Sequence, residues 1–198
     1  PTQSVLQPSL RRVHNNALVF TIPDLILTPQ AVADLFDPTR FRMQNPPLLH
    51  AIGQGFAAAF RVSDAVSVLS GEHLTFLDPT GSFVSKEFGK SSAGSGSESV
   101  KRQGSERTSV GKSYLISGLS AQFPHQFQVY AQFGFRGGAT HRGTIIRLPI
   151  RDTSVSPFAN QFPGLCWNVE EVRNALAGFQ TVGAEPLLFT SSLARITI

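Results

Sequence analysis

The stretch His50-Ala51-Ile52-Gly53-Gln54-Gly55-Phe56-Ala57-Ala58-Ala59-Phe60-Arg61-Val62-Ser63-Asp64-Ala65-Val66-Ser67-Val68 decides how this chain is read. Two glycines one residue apart let the backbone come close to a ligand or to a neighbouring element. The small residues that follow suit the first turn of a helix, whose leading N–H groups have no intrahelical partner. A phosphate is the natural guest of such a turn. The same pattern also serves simply to pack a helix against a sheet, so the surrounding sequence has to choose.

Working outward, Asp64 to Ser70 alternates as a half-buried strand, Gly71-Glu72 forms a turn, and His73 to Pro79 reads as a second strand, which together make a hairpin. Asp64 is expected to be a cap or turn residue. Phe83-Val84, Tyr114 to Ile116 and Val129 to Phe135 are shorter strand candidates. Gly143 to Ile150 (GTIIRLPI) is the strongest, with Pro149 making its end an edge position. Thr28 caps a helix that has Pro29 at its first position and Ala31, Val32, Leu35 and Phe36 on one face. Asn168 caps another, with Glu170 and Glu171 in the first turn and an apolar face of Val169, Val172, Leu176 and Phe179. Glu185 to Phe189 reads as a short helix and Leu193 to Ile198 as a closing strand. The sum predicts an α+β fold, a two-layer sandwich of mostly antiparallel sheet with helices on one face.

A chain of 198 residues that is 41% hydrophobic suits a single domain spanning 1–198. Residues 84–114 are Ser/Gly-rich with almost no apolar side chains, so they read as a long surface loop. The prolines between Asp37 and Pro47 favour extended, turn-rich backbone. No apolar run of membrane-spanning length and no secretory signal pattern occur, and the chain reads as soluble and, by default, cytoplasmic. The lone Cys166 excludes an internal disulfide and a Cys-ligated zinc cluster, and beside Trp167 it reads as a small buried apolar residue. The net charge of +4 comes from scattered Arg without a basic stripe interleaved with aromatics, so no nucleic-acid partner is expected. The five histidines show no metal-ligand spacing and no G-x-S-x-G elbow is present, so neither a metal site nor a catalytic residue is assigned.

The segments around the glycine turn resemble a known family. Gly53-x-Gly55-Phe56 followed by Ala58, Phe60, Val62, Asp64 and Val66 resembles the second glycine box of the Bergerat-fold ATPases, the superfamily of heat-shock chaperones and histidine kinases, most closely in its sacsin-like branch. Ser70-Gly71-Glu72-His73-Leu74 with Leu77-Asp78-Pro79 is similar to that branch's S-G-D-x-L and following D-P. Phe123-Pro124-x-Gln126-Phe127 is similar to its F-P-x-Q-F, and Gly143-Thr144-x-x-Arg147-Leu148-Pro149-Ile150-Arg151 to its G-T-x-x-R-x-P-x-R. Leu187-Leu188-Phe189 and Ile196-x-Ile198 extend the match, which runs in the expected order over roughly residues 10–198.

The resemblance implies a pocket for ATP or ADP with Mg²⁺, with Gly53, Gly55 and Phe56 in its glycine-hinged wall and Thr144 beside the adenine. Asn15-Asn16-Ala17 with Phe20 and Asp24 resembles the first glycine box, which implies that Asn15 or Asn16 accepts from the adenine amino group where the family uses Asp. The D-x-G-x-G turn itself is missing. The two Asn residues fit a turn beside Arg11 to Asn16 equally well, and Thr144 an ordinary strand position. In the family, the helix before the first box carries E-x-x-x-N, whose Glu activates water and whose Asn coordinates Mg²⁺. The residues before Leu10 include no acid. The expectation is therefore an N-terminally truncated Bergerat-like pseudoenzyme: a chaperone-type ATPase domain that does not hydrolyse nucleotide and acts as a structural or protein–protein interaction module in a larger assembly. The alternative is an active ATP-binding chaperone domain whose catalytic helix lies upstream of Pro1. The first reading leaves apolar surface at Val13, Ile52 and Phe56, which a protein partner is expected to cover.

Overall fold

The computed structural model describes residues 4–36, 58–84, 111–162, 164 and 166–182. The glycine turn Gly53 to Phe56, His50, the proline-rich 37–47, the helix expected at Glu185 and the closing strand at Leu193 lie outside the described residues.

Five strands form one antiparallel sheet: β1 (Ala17–Ile22), β2 (Val66–Gly71), β3 (His73–Leu77), β4 (Gly111–Leu115) and β5 (His141–Pro149), in the order β1-β5-β2-β3-β4. Among the described residues, a 3-10 helix (Pro8–Val13) and six helices accompany the sheet: α1 (Pro29–Phe36), α2 (Ala59–Val62), α3 (Leu119–Gln122), α4 (Pro124–Ala131), α5 (Pro157–Gln161) and α6 (Val169–Val182). The α+β class and the antiparallel sheet expected from the sequence are those observed.

Period-two alternation sends neighbouring side chains of β2 and β5 to opposite faces. Leu69 and Ile145 join Leu74, Phe76, Phe127, Tyr130 and Phe135 in one cluster, which the N-terminal Leu6, Leu10 and Val13 also enter. Val66, Val68, Ile146 and Leu148 form a second cluster with Val32 of α1. Helix α1 thus adds cover to the face opposite α4. Each such fully buried aliphatic or aromatic side chain stabilises the fold by about 1.5–3 kcal/mol.

The expected hairpin is β2–β3, with Ser70 paired to His73 and Gly71 at φ 55 in the turn. The expected helix at Pro29 is α1, and the Thr28 hydroxyl accepts from the Ala31 amide at 3.1 Å. At α6, Asn168 Oδ1 accepts from the Glu171 amide at 3.0 Å while Glu171 Oε2 accepts from the Asn168 amide at 2.7 Å, a reciprocal capping box. On that helix Val172 is buried, whereas Val169 and Phe179 of the expected apolar face are exposed.

Several expectations are corrected. Residues 129–135 do not form a strand: Pro124 starts helix α4, Phe127 and Tyr130 enter the core at helical spacing, and the chain turns at Gly134 with φ 96. Phe83 and Val84 are buried but unpaired as strand, because their amides donate to Asp78 Oδ2 at 2.7 and 2.9 Å. At the two ends of the Ser/Gly-rich span, Val84 is buried and residues 111–115 are β4. Strand β5 is an interior strand, between β1 and β2, and Pro149 is tolerated as its last residue because pairing with β2 ends at Arg147. Val13 is only 7% exposed and belongs to the buried cluster that holds Leu6, Leu10 and Leu69, so it contributes nothing to an open apolar face.

Candidate functional site

The residue with the most constrained chemistry among the expected site residues is Thr144. It sits in β5 opposite Ser70 of β2 and Ile22 of β1, and it is 1% exposed. Its Oγ1 lies 2.7 Å from Ser70 Oγ and donates to the carbonyl of Leu25 at 2.7 Å, while Ser70 Oγ accepts the Leu27 amide at 2.8 Å. The single Thr144 proton is therefore committed to Leu25, and Ser70 supplies its own to Thr144. The chain that reaches them, Pro23 to Leu27, crosses this end of the sheet as a strap.

Two glycines admit the strap. A side chain at Gly71 would stand 2.8 Å from Ile26 Cγ2, and one at Gly143, where φ is 116, would stand 2.8 Å from the Ile22 carbonyl oxygen. The strap bends through a tight turn, with the Leu25 amide donating to the Pro23 carbonyl at 2.8 Å and Asp24 at φ 60, a left-handed conformation that Asp tolerates better than most residues. Asp24 Oδ1 accepts from Arg142 Nε at 2.6 Å in a solvent-exposed pair. Asp24, expected as part of the degenerate first glycine box, is thus a surface partner of Arg142.

Asn15 and Asn16 lie at the other end of β5. Asn15 Nδ2 donates to the Ile150 carbonyl at 2.8 Å and the Asn16 carbonyl accepts the Ile150 amide at 2.7 Å. Since Ala17 pairs with Pro149 and Ile22 with Thr144, these two asparagines are separated from Thr144 by roughly 17 Å of strand. The structure does not bring the three together. The asparagines line a cleft of about 590 Å³ with Asp152, Thr153 and Asn168. Gly53, Gly55 and Phe56 are outside the described residues.

The two arginines of the R-L-P-I-R stretch are buried and structural. Arg147, 5% exposed, donates to the carbonyls of Val13 and Asn15, closing the end of the 3-10 helix. Burial holds its pKa below the ordinary value, with Tyr130 opposing that effect. Tyr130 donates to Ser67 Oγ at 2.7 Å, and its complete burial pushes its pKa up to about 12. Arg151 pairs with Asp64 at 2.7 Å and also donates to the carbonyls of Phe60, Arg61 and Ser63. It therefore closes the C-terminus of α2. Ser156, the cap of α5, donates to the same Asp64 oxygen at 2.7 Å. Asp64 lies in the bend between α2 and β2, in keeping with the cap or turn role expected of it, and is also the anion of this hub. No sequence pattern announced that role, since the partner lies 87 residues away.

Among the described histidines, His14 is the most perturbed. Burial first, then the Arg147 charge, hold its pKa down at about 4, against an opposing hydrogen bond with Gln126 at 3.1 Å. Among the described residues no group of three or more His, Cys, Asp and Glu side chains is arranged to hold a metal ion, and no helix is long and apolar enough to cross a membrane.

Comparison with known families adds one finding: the model of the Sacsin domain matches residues 2–198. The match covers nearly the whole chain, which belongs to that family. No curated protein matches it.

Proposed function

We propose, from this membership and from the state of Thr144, that the chain is a Bergerat-type, ATPase-like domain in which the nucleotide-base position is closed by the protein itself. On this reading it does not hydrolyse nucleotide and serves as a structural or protein-interaction module within a larger, chaperone-like assembly. The observation that carries the proposal is the Thr144 hydroxyl, buried and donating at 2.7 Å to the Leu25 carbonyl. In the resembled family this Thr faces the adenine. Here its proton is used by the main chain of Pro23–Leu27, and Ser70 beside it is 2% exposed.

With that strap in place the described residues do not fit an adenine nucleotide. A base laid against Thr144 has to displace a satisfied carbonyl, and leaving that carbonyl unpaired in the interior costs about 1–3 kcal/mol. The nearest acid of the strap, Asp24, is engaged with Arg142 at the surface. Calorimetric titration of the protein with ATP and ADP, with and without Mg²⁺, tests the proposal directly.

A further inference from the structure

The strap that closes the Thr144 position has an unusual balance of contacts. Its main chain is pinned at two points, the Leu25 carbonyl to Thr144 and the Leu27 amide to Ser70. Leu25 and Ile26 are poorly buried, 44% and 59% exposed, whereas Leu27 is half-buried against the cluster of Val32, Val66 and Val68. Asp24 is the sole described non-glycine residue with positive φ, and the Asp24–Arg142 pair is 67% and 87% exposed, so it adds little. A segment held by one half-buried apolar side chain and two anchoring hydrogen bonds, with a left-handed residue at its bend, belongs to the less stable part of a fold. Beneath it the sheet is rigid, because Val68, Leu69, Ile145 and Ile146 are all within 4% of complete burial.

We propose that Pro23–Leu27 is a displaceable intramolecular stand-in for a ligand, which keeps the Thr144–Ser70 pair closed until it is lifted. The inference rests on the ATPase-like reading above. The chemistry of the pair defines what it accepts. Thr144 offers a proton and Ser70 Oγ accepts one, side by side, so together they recognise an edge with an acceptor next to a donor. The strap presents that edge as a carbonyl and an N–H. A purine base carrying an exocyclic amino group presents it as a ring nitrogen and an amino proton. Once the strap lifts, Gly71 and Gly143 leave backbone without side chains beside the pair, room for a flat ring to approach.

In this scheme the apparent affinity for a nucleotide equals the intrinsic affinity reduced by the fraction of molecules with the strap open. Weakening the strap without touching the pair therefore raises affinity. The variant Ile26→Ser with Arg142→Ala removes the Ile26 contact at Gly71 and the surface ion pair while leaving Ser70 and Thr144 intact.

Titration with ADP reads the outcome. The wild type is expected to bind ADP no more tightly than millimolar, the double variant at least about tenfold more tightly, and a triple variant adding Thr144→Val no better than the wild type. A folded double variant that gains no affinity, or a gain that survives Thr144→Val, overturns the strap proposal while leaving the non-binding reading of the wild type standing. Micromolar binding by the wild type overturns that reading itself. Should the double variant fail to fold, hydrogen exchange of the wild type decides. The Leu27 amide is expected to exchange about 100-fold faster than that of Leu69, and equal protection of the two contradicts a displaceable strap.

Discussion

Arg151 and Asp64 meet at 2.7 Å with side chains 0% and 8% exposed, and around this pair the ends of β5, α2 and α5 are tied together. A buried pair is costly to break from one side, because the survivor is left charged in a poorly solvated site. Asp64→Ala is expected to destabilise the fold by about 3–5 kcal/mol, and the double change Asp64→Leu with Arg151→Met by less than the sum of the two single changes. Urea unfolding of Asp64→Ala, of the two single changes Asp64→Leu and Arg151→Met, and of the double variant checks both statements. Additive costs would mean that the pair is not energetically coupled.

His14 makes stability depend on acid. Its folded pKa of about 4 lies below the ordinary 6.5, so the unfolded chain takes up the proton first. The contribution is fully present above pH 6.5, fades as pH falls, and is gone by about pH 4. Because the ring is only partly buried, the loss is on the order of 1 kcal/mol. His14→Gln is expected to flatten the stability curve between those two pH values, as measured by thermal melts in matched buffers.

Gly143 is required on two counts: its φ of 116 disfavours any side chain, and an added Cβ would press on the Ile22 carbonyl at 2.8 Å. Gly143→Ala is expected to cost about 3 kcal/mol or more. Gly137→Ala, at φ 78 with open space around it, is expected to cost about 1 kcal/mol. Equal costs at the two positions would show that the close approach of the Ile22 carbonyl carries no energy.

At the start of α6 the reciprocal bonds of Asn168 and Glu171 predict that Asn168→Ala lowers stability by about 1 kcal/mol, and Glu171→Ala by less because its main-chain amide remains. Melting temperatures of the two variants give the comparison.

How far the sequence could be read depends on whether the deciding interaction is local. The β2–β3 hairpin, the Thr28 cap and the Asn168 cap rest on residues within a few positions of one another, and each forms as expected. Residues 129–135 misled because Val129, Ala131, Phe133 and Phe135 alternate, while the helix is set by Pro124 upstream and by the packing of Phe127 and Tyr130. The site was legible only in part. Thr144 could be singled out by its place in the G-T-x-x-R stretch, but its burial depends on a strap more than a hundred residues earlier in the chain. Asn15 and Asn16 could be paired with Thr144 in sequence order, whereas the antiparallel register of β1 on β5 places them at opposite ends. The Arg151–Asp64 hub left no local trace, because neither residue has its partner nearby in sequence.

Calorimetric titration of the wild-type protein with ADP and Mg²⁺ tests most directly whether the Thr144 position is closed. A closed position gives no binding heat at micromolar concentrations and no change when Thr144 is replaced by Val. A saturable, Mg²⁺-dependent Kd in the micromolar range that Thr144→Val weakens would contradict it.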